Sequence, residues 1–380
     1  MTLATFWFVV LAVLWTGFLV LDGFDFGVGM LAGVIGRDDV GRRVAINTIG
    51  PVWDANEVWL IVAGAGMFAA FPSWYATMFS GFYPTLVLLL VALIGRGLSF
   101  EFRGKRDAAG WRRSWDAAMA GGSLLAPLLV GVALGNLLHG VPIGADQEYA
   151  GNLLDLLNGY ALFTGVTVVL VCLLHGATFL ALRTTGDVRE RAVRAARRIG
   201  PVTVCAVLAF AVWTQVSAGK GLPSVALEVI AVLAVAVAGW FAFRSRGELT
   251  GLAGGDTTDL AGCGGTDLAA FAATSLTMAA TISMIFVDLY PRVMVSTLGP
   301  ANDLTVTGTA SSSYSLRVMT VVVAVLLPVV LAYQAWTYHV FRRRISRSDI
   351  VPPPRQTPAG TAATDPAATT GNSDSQQEAT

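Results

Sequence analysis

One apolar run, Leu3 to Val34, contains only two charged residues, Asp22 and Asp25. It exceeds the roughly 20 apolar residues that a helix needs to cross a bilayer. A carboxylate at the centre of a membrane helix costs about 2.5–3.5 kcal/mol, and less near the interface. Two in one helix therefore require a compensating environment. Being three residues apart, they share one helix face. Gly23 with Gly27, and Gly29 with Gly33, are small residues four apart that let a neighbouring helix approach closely. The pair reads as a buried polar site in a glycine-lined groove. The simpler reading, a surface cap or snorkelling side chain, suits Asp22 alone.

Eight further apolar runs give nine expected spans, at about 6–34, 52–71, 78–100, 115–138, 158–182, 199–217, 222–243, 267–289 and 316–341. The chain is 54% hydrophobic and 13% charged, whereas soluble proteins carry about 25% charged residues. It reads as an all-α polytopic membrane protein. A membrane domain is expected over residues 1–345 and a disordered cytoplasmic tail, rich in Pro, Thr, Ala and Ser, over 346–380. Formal net charge is zero, so no nucleic-acid footprint is visible. Cys172, Cys205 and Cys263 form no metal or haem-attachment pattern. The first basic residue is Arg37, so no positive n-region precedes the first run, and that helix is expected to be retained.

Basic residues set the orientation. They gather after spans 1, 3, 5 and 7 and at the C-terminal end, in groups such as Arg37, Arg42 and Arg43, or Arg189 to Arg198. The opposite connections hold only Lys220, Arg292 and Arg317. The expected topology has the N-terminus outside and the C-terminus in the cytoplasm. On the outer side, residues 72–77 read as a tight antiparallel hairpin. On the inner side, Gly251–Gly265 reads as a flexible linker without the strand–helix setting of a phosphate cradle.

A second informative stretch is Gly50–Leu60, Gly-Pro-Val-Trp-Asp-Ala-Asn-Glu-Val-Trp-Leu. Pro51 suits a first helical turn, and Asp54 and Glu57 suit the positive end of a helix dipole. With this topology, however, Asp22 and Asp25 lie in the cytoplasmic half of helix 1. Asp54, Asn56 and Glu57 start helix 2 on that side, Arg96 and Glu101 end helix 3 there, and Trp115 and Asp116 begin helix 4. Acids gathered within a bilayer are by default a proton or ion path. Helix-end salt bridges that only fix packing are the competing reading.

Other polar features carry less. Of His139, His175 and His339, only His175 lies well inside a span, and no second histidine completes a bis-imidazole site. Thr274, Thr277 and Thr281 read as interhelical hydrogen-bonding groups. Glu228 is an intramembrane acid with no evident partner.

With these residues in hand, the sequence resembles subunit II of the cytochrome bd quinol oxidase family, including its cyanide-insensitive members. The resemblance rests on Leu21–Met30, Pro51–Ile61, Phe79–Tyr83, Trp111–Asp116, Gly131–Leu138, Ser275–Thr277, Val318–Thr320 and the run Pro328–Tyr338. It implies a fold of two four-helix bundles plus one additional helix. It implies pairing with a related subunit I that carries haems b and d and the quinol-oxidising loop, with no haem on this chain and no metal. The implied enzyme oxidises quinol and reduces oxygen to water, taking protons from the cytoplasm. Asp25 and Asp54 match the family's two carboxylates on a hydrophilic path, and Trp53 matches a neighbouring tryptophan. Beyond the resemblance, position on the helices adds Asp22 to this proton path or cation site, and Asn56, Glu57 and Arg96 as supporting partners. Phe26 stands where the motif has methionine, and Glu57 where it can have an amide, which argues against Glu57 as an obligatory proton carrier. A bound quinone or lipid, small accessory subunits and a bacterial plasma-membrane location are also implied. Lysine is confined to Lys105 and Lys220, which hints at a high-GC bacterial source.

Two readings compete with the oxidase subunit. A secondary transporter would bind an ion and substrate at midplane acids and would show inverted repeats. A purely structural scaffold would keep the fold and leave Asp25 and Asp54 replaceable.

Overall fold

The computed structural model describes residues 2–219, 221–252 and 260–350. In chain order the helices are α1 (Leu3–Ile35), α2 (Asp39–Ile49), α3 (Trp53–Ala70), α4 (Pro72–Gly81), α5 (Tyr83–Phe102), α6 (Ala109–His139), α7 (Gly159–Arg183), α8 (Gly186–Ser217), α9 (Leu222–Leu252), α10 (Leu260–Leu289), α11 (Ser313–Val340) and α12 (Arg347–Ile350). Eight of these, namely α1, α5 to α10 and α11, are long and apolar enough to cross a membrane. The expected second span is α3, an 18-residue helix about 27 Å long at 1.5 Å per residue. Its opening residues Asp54, Asn56 and Glu57 leave it less apolar than the other eight.

α1 is the axis of the molecule. It packs against α3 and α6 on one side and α7 and α10 on the other, while α5 lies on α6. α7, α8, α9 and α10 pack each on the next, and α10 returns to α7. α11 rests on α1 and α3 with most of its surface exposed. The Trp7 indole, which donates to Thr320 Oγ1 at 3.0 Å and to the Leu316 carbonyl at 3.2 Å, pins the start of α11.

Glycine sets the closest helix approach. A Cβ on Gly27 would lie 2.7 Å from Cα of Gly176, so α1 and α7 meet backbone to backbone. Gly29 faces Ser123 of α6 at similarly close range, but Gly33 faces open space. The second small-residue pair is therefore only half used.

Several short elements depart from the sequence reading. The basic connection after α1 contains α2, which Asp38 caps by accepting from the Gly41 N–H at 2.9 Å. Its buried residues Gly41, Val44, Ala45, Thr48 and Ile49 recur at helical spacing. Pro51 sits in the turn before α3, not in the helix. The expected hairpin at residues 72–77 is the first half of α4, which buries Trp74, Thr77, Met78 and Gly81. α8 begins at Gly186, thirteen residues before the expected span, because Val188, Arg189, Ala192, Val193 and Ala196 give its basic first turns a buried face.

Within this all-helical architecture, β1 (Arg292–Met294) and β2 (Leu304–Thr305) form a short antiparallel pair in the long connection before α11. Residues 346–350 carry α12, which lies against α2. The rest of the expected tail, 351–380, and the centre of the expected Gly251–Gly265 linker lie outside the described residues.

Candidate functional site

Asp22 and Asp25 are fully buried, and the residues that neighbour them come from three other helices. Arg96 of α5, also fully buried, donates from Nη2 to Asp22 Oδ1 at 2.9 Å and from Nη1 to Glu57 Oε2 at 2.8 Å. Asn56 of α3 donates from Nδ2 to Asp25 Oδ2 at 2.7 Å and to the Leu21 carbonyl at 3.1 Å. Its Oδ1 accepts from Tyr338 Oη at 2.8 Å and from Gln334 Nε2 at 3.2 Å, both on α11. Trp59 Nε1 donates to Gln334 Oε1 at 3.0 Å and completes the chain. Two bonded clusters, Arg96 with Asp22 and Glu57, and Asn56 with Asp25, Gln334 and Tyr338, thus start from neighbouring carboxyls of α1 and draw in α3, α5 and α11.

Aromatic rings wall this network. The Arg96 guanidinium lies 4.7 Å from the centroid of Phe26 and 6.0 Å from that of Trp53. Trp53 stacks on Phe100 at 4.6 Å with the planes 7° apart. A guanidinium lying over a ring face keeps favourable electrostatics where water is excluded.

The network is incompletely satisfied. Asp22 Oδ2, Asp25 Oδ1 and Arg96 Nε are buried without a hydrogen-bond partner. An orphaned buried carboxylate oxygen costs about 1–3 kcal/mol or more unless a proton, a water or a cation completes it. Arg96 pairs with two carboxyl groups, Asp22 and Glu57, while Asp25 has Asn56 as its hydrogen-bond partner and no ion pair among the described residues. A buried carboxyl without a counter-charge is stabilised by a proton or a cation. The arrangement is suited to holding a proton or a cation.

The sequence-selected residues separate by depth. Asp22, Asp25, Asn56 and Arg96 are buried, and the Glu57 side chain is 21% exposed. Asp54 is exposed in the first turn of α3, one turn before Glu57. No contact joins Asp25 to Asp54 among the described residues, and the side-chain partner of Asp25 is Asn56. Glu101 is exposed, and Asp116 joins a separate network with Arg42 and Arg103 at 2.9 and 2.6 Å.

Gln334 and Tyr338 are site residues that the sequence reading passed over. Both lie in the quoted run Pro328–Tyr338, where a glutamine in an otherwise apolar helix was the available signal.

The other polar candidates resolve differently. His175 is bonded through both ring nitrogens, to Thr274 Oγ1 at 2.7 Å and to the Val20 carbonyl at 3.1 Å, and stacks on Phe271. Thr277 bonds its own helix, whereas Thr281 Oγ1 is buried without a partner. Glu228 is not isolated. The Gln215 amide, oriented to donate, reaches its two oxygens at 3.2 and 3.3 Å.

Fold and site together define a polytopic helical membrane protein with a buried, charge-bearing network between its helices. Comparison with known proteins narrows this. The chain belongs to the family described as cytochrome bd terminal oxidase subunit II, whose model matches residues 3–341. It is 43% identical over 348 residues to cytochrome bd ubiquinol oxidase subunit 2 of Bacillus subtilis, covering 90% of this chain and 97% of that one. It is 38% identical over 362 residues to cytochrome bd-I ubiquinol oxidase subunit 2 of Escherichia coli K12, covering 90% and 95%. The structure of bd oxidase from Geobacillus thermodenitrificans matches with a TM-score of 0.62 at 19% identity, over 90% of this chain and 99% of that chain. At that identity the match establishes a shared fold.

Proposed function

We propose that the chain is the haem-free subunit II of a cytochrome bd-type quinol:oxygen oxidoreductase in a bacterial plasma membrane. It pairs with a haem-bearing subunit I and provides a cytoplasmic-side proton path toward the oxygen-reducing site. In this reading α3 completes nine spans, with α1, α3, α5 and α6 and then α7 to α10 as two four-helix bundles and α11 as the additional helix. The N-terminus is outside and the C-terminus cytoplasmic, as the arginine distribution requires.

The observation that carries the proposal is the buried network around Asp25, Asp22 and Arg96, with two carboxylate oxygens left unpartnered. Asp54 lies at its exposed mouth, Glu57 is partly covered, and Asp22 and Asp25 form its interior. Arg96 holds the interior charges, Trp53 and Phe26 exclude water around the guanidinium, and Asn56 orients Asp25.

Haem ligation does not fit this chain's central histidine, because hydrogen bonds occupy both nitrogens of His175. The haems b and d of subunit I would supply the oxygen-reducing chemistry. Quinone, lipid and small accessory subunits belong to the same proposed assembly, against the apolar faces that α3, α5 and α11 expose.

The test is purification through a tag on this chain, followed by replacement of Asp25 or Asp54 by Asn. The proposal predicts co-purification of a haem-bearing partner and slowed quinol-driven oxygen uptake in Asp25→Asn with assembly intact. Full turnover in both variants would reduce the chain to a scaffold. Substrate-dependent ion flux without any haem would make it a transporter.

A further inference from the structure

A second charged site, separate from the acid network, lies where α1 ends against the first turns of α8. A pocket of about 140 Å³ is lined there by Arg37, Arg191, Arg194 and Arg198 together with Val34, Ile35 and Ala195. Two of the four arginines have carboxylate partners. Arg191 pairs with Asp187 and also donates to the Ile35 carbonyl, which fixes it at the end of α1. Arg194 lies 3.5 Å from Glu190 on its own helix.

Arg37 and Arg198 are exposed and have no ion-pair partner among the described residues. The acid next to Arg37 in sequence, Asp38, is already engaged. Arg347 donates to both its oxygens at 2.8 Å, which with the Gly41 N–H holds its pKa down at about 2. Two positive charges of the pocket are therefore unmatched.

The depth of the pocket points to its ligand. The apolar sequence of α1 ends at Ile35, and α8 changes from arginine-rich to apolar immediately after Arg198. The pocket straddles the boundary between hydrocarbon and headgroup, and Val34 within it is 71% exposed. Guanidinium groups match phosphate oxygens in pairs, and basic pockets between helices at this level hold lipid phosphates.

We propose that this pocket binds the phosphate headgroup of an anionic phospholipid, whose acyl chains run over Val34. A soluble phosphate would meet the same guanidinium groups but leave Val34 in water. The inference does not depend on the oxidase reading.

The test uses the complex as isolated from membranes, placed in phosphatidylcholine nanodiscs and titrated with phosphatidylglycerol while native mass spectrometry counts bound lipid. Exchanging both unmatched arginines, in R37Q/R198Q, should weaken the tightest anionic-lipid site roughly thirtyfold, the loss expected of two charges at a membrane surface. R37K/R198K, which keeps both charges but loses the paired guanidinium geometry, should bind more tightly than R37Q/R198Q and more weakly than the parent, and inorganic phosphate should not displace the lipid. Unchanged phosphatidylglycerol affinity in a folded R37Q/R198Q complex would overturn the proposal. So would displacement by inorganic phosphate at matching affinity, which would make the pocket a soluble-anion site.

Discussion

Two buried polar groups face each other across α1, and they have opposite character. Toward α3 and α5, the Asp22, Asp25 and Arg96 network leaves three polar atoms without partners. Toward α7 and α10, His175 has both nitrogens bonded, its ring stacked on Phe271 at 4.6 Å and met edge-on by Phe24 at 5.7 Å. Both lie in apolar helices, and both would pass as site candidates by burial alone. What separates them is hydrogen-bond completeness. A closed set of bonds fixes helix packing, whereas an open set retains capacity for a proton, a cation or water.

The largest expected effect is at Arg96. Replacing it with Gln removes the charge that Asp22 and Glu57 share, and breaking a buried pair costs about 3–5 kcal/mol. Thermal unfolding of the purified complex should show a marked loss of stability, and adding Asp22→Asn should recover part of it. If Arg96→Gln melts like the parent, the interior carboxyls do not depend on that charge.

Next comes Thr274→Val, which takes from His175 its Nδ1 partner. The expected cost is about 1–3 kcal/mol in stability, with oxygen uptake per assembled complex unchanged. A turnover defect there would erase the distinction between the two groups. Asp25→Asn should show the reverse pattern: oxygen uptake falls at least about tenfold, while the unfolding temperature barely moves, because an amide can keep the Asn56 contact. The smallest expected effect is Asp54→Asn, an exposed change within about 0.5 kcal/mol of neutral. Its oxygen uptake should fall less than that of Asp25→Asn, and a larger fall would place the controlling group at the mouth.

The sequence made the long apolar helices legible, because twenty apolar residues have few other uses. It was less informative for α2 and α4. The apolar residues of α2 occupy one face only, and α4 has just ten residues, so a search for continuous apolar runs passes over both although Asp38 and Pro72 mark their starts. The strands β1 and β2 are too short to carry a pattern.

For the site, the depth of Asp22, Asp25 and Arg96 followed from topology, and their grouping with Asn56 and Glu57 agrees with it. The placement of Asp54 did not follow. Position along a helix gives depth, but the rotation that turns Asn56 inward and Asp54 outward depends on packing between α3 and α1. The same holds for Gln334 and Tyr338, which enter the network only because α11 returns to lie across both helices after nearly three hundred residues.

The most direct test of the account is the rate of proton uptake from the cytoplasmic side during a single turnover, followed with a pH indicator in the assembled complex. In Asp25→Asn it should slow at least about tenfold, while Thr274→Val takes up protons at the parental rate. Uptake by Asp25→Asn at the parental rate would contradict the account, and the unpartnered oxygens of α1 would then be a feature of packing alone.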